Sequence, residues 1–425
     1  MKYKLLLIFG LFLILFPPQL KIYGIVFKIL YISVVTTSFF GAIYYFKKKQ
    51  KNISGQIFTN LIIILLYNIA FNVIFAIGDY SLLGQIFLGF ISFFAAYFYV
   101  DKYYKVYGEN FFNKITRDLF ICGILHSIIV IIVVFIPAFK EQLYSIIYTT
   151  ELQTRYLGED IGFSRVSGLM PTGFSALSTI HGVLSLFGFF YLISCKNKKN
   201  YRDIILVAIG QTSIIISIVF IGRTGLLLTV LFGICITLYI IFSKNIKKII
   251  KINIKRYTEF FTIIAIILLA IFDIKESGNY QFEFETLINL MRDGTLDKSS
   301  ELILDTQYFL PDSLLQIIFG NGNYGRQEFL PITESDVGYV IFIHGGGILG
   351  LLISYSFILV TFIKSWRMRN KDTAIYLAGT TLCLVIILIN FKDFYYFGYS
   401  DIFLILFIVI CCMSKISELN KKGAK

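Results

Sequence analysis

Charge, proline, histidine and tryptophan are all scarce in this sequence, and each shortage narrows what the chain does. Only 15% of its 425 residues are charged, against 57% that are hydrophobic, which is more apolar surface than one soluble core can bury. With six prolines, little interrupts the apolar runs of about 20 residues, and these indicate an all-α polytopic membrane protein. The alternating strands of about ten residues that build membrane barrels are missing. Six cysteines and three histidines form no ligand-spaced cluster. Every cysteine falls in or at the end of an apolar run, so the thiols read as packing residues and neither a disulfide framework nor a metal site is expected. No Walker A loop, Rossmann fingerprint, HExxH or CxxC pair occurs, so no cofactor and no nucleotide-driven reaction is expected.

What is present is lysine, isoleucine, phenylalanine and tyrosine in abundance, a bias that reads as an AT-rich bacterial coding sequence. The net charge of +13 sits in clusters between the apolar runs, which points to membrane lipids as partners and away from nucleic acid. Apolar spans read at 4–17, 22–46, 57–77, 80–100, 118–138, 173–195, 203–221, 224–243, 258–274, 337–362, 373–391 and 394–414, giving about twelve transmembrane helices in a single polytopic domain. Lys2 and Lys4 give the first span the look of a signal peptide, but Pro17-Pro18-Gln19 follows it instead of a small-residue cleavage site, so it reads as retained. An inside N-terminus places 28 of the 39 Lys and Arg residues in the cytoplasmic segments, so both termini are expected there. Two long extracytoplasmic loops follow, at about 139–172 and 275–336. The second carries ten carboxylates between Glu276 and Glu334, with Asp336 as an eleventh, and a net charge of −7. Its PDSLLQIIFGNGNYG stretch predicts a short surface helix with Asp312 as its cap and Gly320 as its stop.

Three stretches carry residues suited to chemistry. In FIGRTGLL (220–227), Arg223 sits in a tight hairpin on the outer side, against the charge bias. It is either a snorkelling arginine or a phosphate ligand, since a guanidinium offers a rigid fork to phosphate oxygens. In SRVSGLMPTGFSALS (164–178), Arg165 and Gly168 stand beside a helix mouth with small residues that admit a bulky ligand; the alternative is a salt-bridged loop. In PITESDVGYVIFIHGGGILG (331–350), Glu334 and Asp336 are either helix caps or carboxylates at a low-dielectric mouth, where one can act as a base. His344 reads as a packing residue and the glycine pair Gly346 and Gly350 as a close helix contact.

In order and placement these stretches resemble the O-antigen polymerase (Wzy-type) family of the O-antigen ligase/polymerase superfamily. Arg165-x-x-Gly168 closes an outer loop, Arg223 follows in GRTG, FGNGNYG ends the long loop, and ESDVGY leads into HGGGILGLL. The likeness covers roughly 160–362. It departs from the family at Arg326, which is followed by eleven residues before Gly338 where an Arg, ten residues and a Gly are usual. The resemblance implies a glycosyltransferase of the bacterial cytoplasmic (inner) membrane. It would join undecaprenyl-pyrophosphate-linked oligosaccharide repeat units at the outer face, beside a chain-length regulator and a flippase, to make O-antigen, capsule or exopolysaccharide. In that setting Arg223 and Arg165, with Arg326, would meet the pyrophosphate, and Asp336 or Glu334 would be the base. Tyr324 and Tyr339, with Tyr308 and Tyr280, would hold sugars.

Two rivals stand beside it. An O-antigen ligase would use an outer-loop histidine, and the chain has none between 182 and 343. A polysaccharide flippase would carry charges within its spans and short outer loops. A small-solute transporter has no support, because inverted repeats with broken helices are not evident.

Overall fold

The computed structural model describes residues 2–22, 25–48, 53–75, 80–149, 166–170, 174–195, 201–242, 306–322, 324, 335, 337–393 and 400–423, and these are almost entirely helical. In chain order they form α1 (Lys2–Leu15), β1 (Gln19–Ile22), β2 (Ile25–Lys28), α2 (Ile29–Lys47), α3 (Ile53–Phe75), α4 (Ser81–Tyr107), α5 (Phe111–Phe135) and α6 (Pro137–Ile146). There follow α7 (Phe174–Ser194), α8 (Tyr201–Ile221), α9 (Arg223–Phe242), α10 (Leu314–Phe319), α11 (Gly338–Arg367), α12 (Thr373–Ile389) and α13 (Ser400–Gly423).

Six described stretches are long and apolar enough to cross a membrane: Ile53–Ile74, Leu82–Phe135 (which holds both α4 and α5), Phe174–Ser194, Arg202–Ile221, Gly338–Arg367 and Ile402–Asn420. Tyr3–Leu15, Thr224–Ile240 and Thr373–Ile389 are shorter apolar helices. The protein is therefore an all-α, membrane-embedded chain. The predicted span at 258–274 lies outside the described residues, as do 150–165 and 275–305 of the two long loops.

Three boundaries differ from the sequence reading. The span expected from residue 22 begins later, because Pro17-Pro18 ends α1 and the next residues pair as antiparallel strands with Ile22 opposite Ile25. Apolar Ile-Val-Phe in β2 suits a strand as well as a helix, so hydropathy alone does not separate the two. The span expected to reach 138 stops at Phe135, and Pro137 opens a new amphipathic helix, α6, as proline does at a first helical turn. The cap of α10 is Ser313, whose hydroxyl accepts the Gln316 N–H at 3.2 Å, and not Asp312; Gly320 stops the helix as expected, with φ 75°.

The chain divides into two compact units, Met1–Ser33 with Lys102–Met291 and Val34–Asp101 with Arg292–Lys425. In the first, α5, α7, α8 and α9 pack around one another with α1 against α5. One end of that bundle buries Asp118, which pairs with Arg117 at 2.8 Å and accepts the Tyr103 hydroxyl at 3.0 Å, so its charge is not left alone. In the second unit α11 packs on α3, α10 and α12, and α13 on α3 and α12.

Candidate functional site

In the first unit the features cluster at the hairpin between α8 and α9. A single residue, Gly222, links these helices, so α9 starts with no side chain of its own to cap it. Ser178 of α7 supplies one from next door: its hydroxyl donates to the Gly222 carbonyl and accepts the Gly225 N–H, both at 2.6 Å. That is the work an N-cap serine does within its own helix, taken over by a neighbour. Ser175 and Thr224 hydroxyls meet at 3.1 Å and Ser185 and Thr229 at 3.2 Å further along the same seam. The seam is closed by Gly182 and Gly225, where an added Cβ would run into opposing backbone. Small residues let helix backbones touch, and buried hydroxyls then bond across them. Arg223 is the first residue of α9, and its side chain lies outside the description.

Residues 166–170 dock on this hairpin. Val166 donates its N–H to the Phe220 carbonyl at 3.2 Å, three residues before Arg223. Met170 N–H closes the turn on the Ser167 carbonyl at 3.2 Å, and Leu169 N–H bonds His126 Nε2 at 3.2 Å. Gly168 adopts φ 58°, and a Cβ there would sit 2.8 Å from the His126 ring, so the glycine of Arg-x-x-Gly is required by both conformation and space. Tyr144 of α6 lies by Ser167, and burial pushes its phenol above the usual tyrosine range.

The second unit holds a broken helix. α11 is interrupted at Gly347 (φ 66°, ψ −175°), and the Gly-Asn-Gly turn after α10 fills the break. Asn321 N–H bonds the His344 carbonyl and Gly322 N–H the Gly345 carbonyl, each at 2.8 Å. Carbonyls freed inside a membrane helix must find partners, and here another backbone segment provides them. Gly320 and Gly322 also have positive φ, 75° and 83°. Residues 320–325 spell Gly-x-Gly-x-x-Gly, but they follow a helix, and the first two glycines serve the break. Of the glycine pair read as a helix contact, Gly350 faces the Tyr67 hydroxyl of the neighbouring α3, and Gly346 the Tyr324 hydroxyl.

Of the predicted site residues, Arg165, Arg326, Glu334 and Asp336 lie outside the described residues. Between the two carboxylates in sequence, Ser335 is buried: it donates to the Gln307 carbonyl at 2.8 Å and accepts the Val337 N–H at 3.1 Å. Tyr324 is 3% exposed and packs on Gly345. Tyr339 donates to the Ile387 carbonyl at 2.8 Å. Tyr308 donates to the Phe391 carbonyl, and burial raises its phenol. His344 stands edge-on to Phe309 with ring centroids 5.2 Å apart, and its Nε2 is buried without a hydrogen-bond partner among the described residues. Ser178, Ser335 and Gly347 escaped the sequence reading. Only Ser178 left a trace, in the Ser175, Ser178, Gly182 and Ser185 spacing that puts small residues on one helix face. Comparison of the sequence with family models and with curated proteins gives no match.

Proposed function

We propose that this chain is a polysaccharide polymerase that joins undecaprenyl-pyrophosphate-linked oligosaccharide repeats at the outer face of the bacterial cytoplasmic membrane. The carrying observation is the Val166–Phe220 bond: the turn that follows Arg165 in sequence is fastened to the hairpin that leads into Arg223. The residue after Arg165 and the residue three before Arg223 are thus joined by one backbone bond, which supports reading the two arginines, 58 residues apart in the chain, as ligands of one phosphate group.

In the reaction, an acceptor sugar hydroxyl attacks the anomeric carbon of the donor glycan. The bond from that carbon to the pyrophosphate oxygen breaks, and the lipid pyrophosphate leaves with its charge met by Arg165 and Arg223, with Arg326 as a further contact. Asp336, or Glu334, takes the hydroxyl proton. Tyr339, half-buried, belongs to the wall that meets the sugars, whereas Tyr324, expected there from the sequence, is buried against Gly345 and does not reach them. The hydrogen-bonded Ser335 supports this assignment by fixing the chain between the two carboxylates.

The test replaces the chromosomal copy with Arg165→Ala, Arg223→Ala or Asp336→Asn and reads the surface-glycan ladder at equal membrane abundance. Each is expected to leave single-unit glycans. A normal ladder from Arg223→Ala sinks the pyrophosphate assignment, and repeat units trapped on the cytoplasmic side of a null strain make the chain a flippase. The buried Nε2 of His344, without a hydrogen-bond partner among the described residues, supports a second reading, a ligase that moves finished glycan to another acceptor. Under it, His344→Ala blocks that transfer while lipid-linked ladders persist.

A further inference from the structure

Two of the three histidines are wholly buried against each other in the first unit. His126 of α5 and His181 of α7 are both 0% exposed, and His126 Nδ1 lies 3.1 Å from His181 Nε2. His181 Nδ1 is 2.9 Å from the Leu177 carbonyl, and His126 Nε2 is 3.2 Å from the Leu169 N–H. Phe16 stacks flat on the His126 ring, with centroids 4.1 Å apart and planes 10° apart.

Both ends of this line dictate its protons. A carbonyl only accepts, so His181 carries its hydrogen on Nδ1 and presents a bare Nε2. A peptide N–H only donates, so His126 presents a bare Nε2 and carries its hydrogen on Nδ1. The two assignments meet in the middle as one N–H···N bond, with every ring nitrogen used once and both rings neutral. The far end of the line is the Val166–Met170 turn.

We infer that His126 and His181 are positioning residues: their proton-ordered line, anchored at Leu177, presents one acceptor that sets the register of the Val166–Met170 turn. The other fasteners agree with this use. Gly168 has lost its Cβ where the ring comes closest, and Val166, at 0% exposed, closes the turn onto Phe220. The line therefore fixes the chain at Val166, the residue that follows Arg165 in sequence. Its consequence for catalysis rests on the polymerase reading above; the register itself does not.

Side-chain isosterism gives a discriminating test. A glutamine amide reaches where Nε2 stood, whereas an asparagine amide reaches only where Nδ1 stood. His126→Gln thus keeps an acceptor for Leu169, His126→Asn keeps only the link to His181, and His126→Phe keeps only the stack on Phe16. The purified full chain is treated with trypsin, and mass spectrometry follows cleavage of the Arg165–Val166 bond, which a docked Val166 protects. Cleavage is expected to rise about tenfold in His126→Asn and His126→Phe, as loss of one buried hydrogen bond allows, and to stay near the parent rate in His126→Gln. Equal protection in all three variants overturns the inference, and so does equal exposure in all three, which would mark a general loss of packing. The glycan ladder is read in the same strains. A cleavage contrast with an unchanged ladder leaves the register standing and sinks the assignment of Arg165 to the pyrophosphate.

Discussion

The two units each contain a place where helical hydrogen bonding is interrupted, and they repair it by different means. At the α8–α9 hairpin the open groups are met by a side chain, the Ser178 hydroxyl. At the break in α11 they are met by backbone, Asn321 and Gly322 bonding to His344 and Gly345. A side-chain repair can be removed by deleting one polar atom with little change in volume. A backbone repair has no such atom and is broken only by adding bulk or by removing an N–H. The first junction is therefore open to adjustment residue by residue, whereas the second holds or fails as a whole.

The largest effect is expected where the backbone repair meets an added methyl. Gly347 and Gly320 both have positive φ, and a Cβ on either would strike opposing backbone, the Ile318 and Gly345 carbonyls respectively. Conformational strain of about 1–3 kcal/mol is joined by the steric cost of moving a main chain. Gly347→Ala and Gly320→Ala should each lose most of the protein as a monodisperse species on size exclusion in detergent. A Gly347→Ala chain that melts with the parent would show that the break is not held by this fit.

Gly225→Ala comes next. Its Cβ also meets backbone, the Ser178 carbonyl, but α9 has ordinary helical geometry there, so only overpacking of about 1–3 kcal/mol is expected. The heat-resistant fraction should fall between those of the parent and Gly347→Ala. Equal loss in both would erase the distinction between the junctions.

Much of this was legible in the sequence, and the limits have physical causes. The helical membrane class and most spans follow from run length, because every backbone group in lipid must be bonded within its own segment. Gly345-Gly346-Gly347 was legible only as small residues, since nothing in three glycines says which one leaves the helix. Whether Asp312 or Ser313 caps α10 was undecidable between adjacent good caps. His126 and His181, 55 residues apart, could be counted but not paired. The β1–β2 pairing stayed hidden because apolar residues without period fit either element.

Ser178→Ala tests the side-chain repair directly. It leaves the Gly225 N–H and the Gly222 carbonyl unpaired, at a cost of about 1–2 kcal/mol. Gly222 has the cap position and no positive φ, so Gly222→Ser in the Ser178→Ala background should return part of the loss by capping α9 locally. The heat-resistant fraction of single and double variants measures this. If the double variant is no better than the single, Ser178 acts through packing and the hairpin is not a cap in trans.

The smallest effect on stability is expected at Ser335→Ala, and there the two kinds of repair meet. Ser335 belongs to the second unit but works through its hydroxyl, bonding Gln307 and Val337 just ahead of the helix that the backbone repair later mends. The turn it holds is short, so its loss should cost only about 1 kcal/mol and leave the size-exclusion profile intact. Under the polymerase reading the same loosening falls between Glu334 and Asp336, where a misplaced base slows transfer far more than it weakens the fold. Glycan ladders should then shorten while protein abundance stays level. Full-length ladders from Ser335→Ala would separate this turn from the chemistry and leave Asp336 without the support that makes it the favoured base.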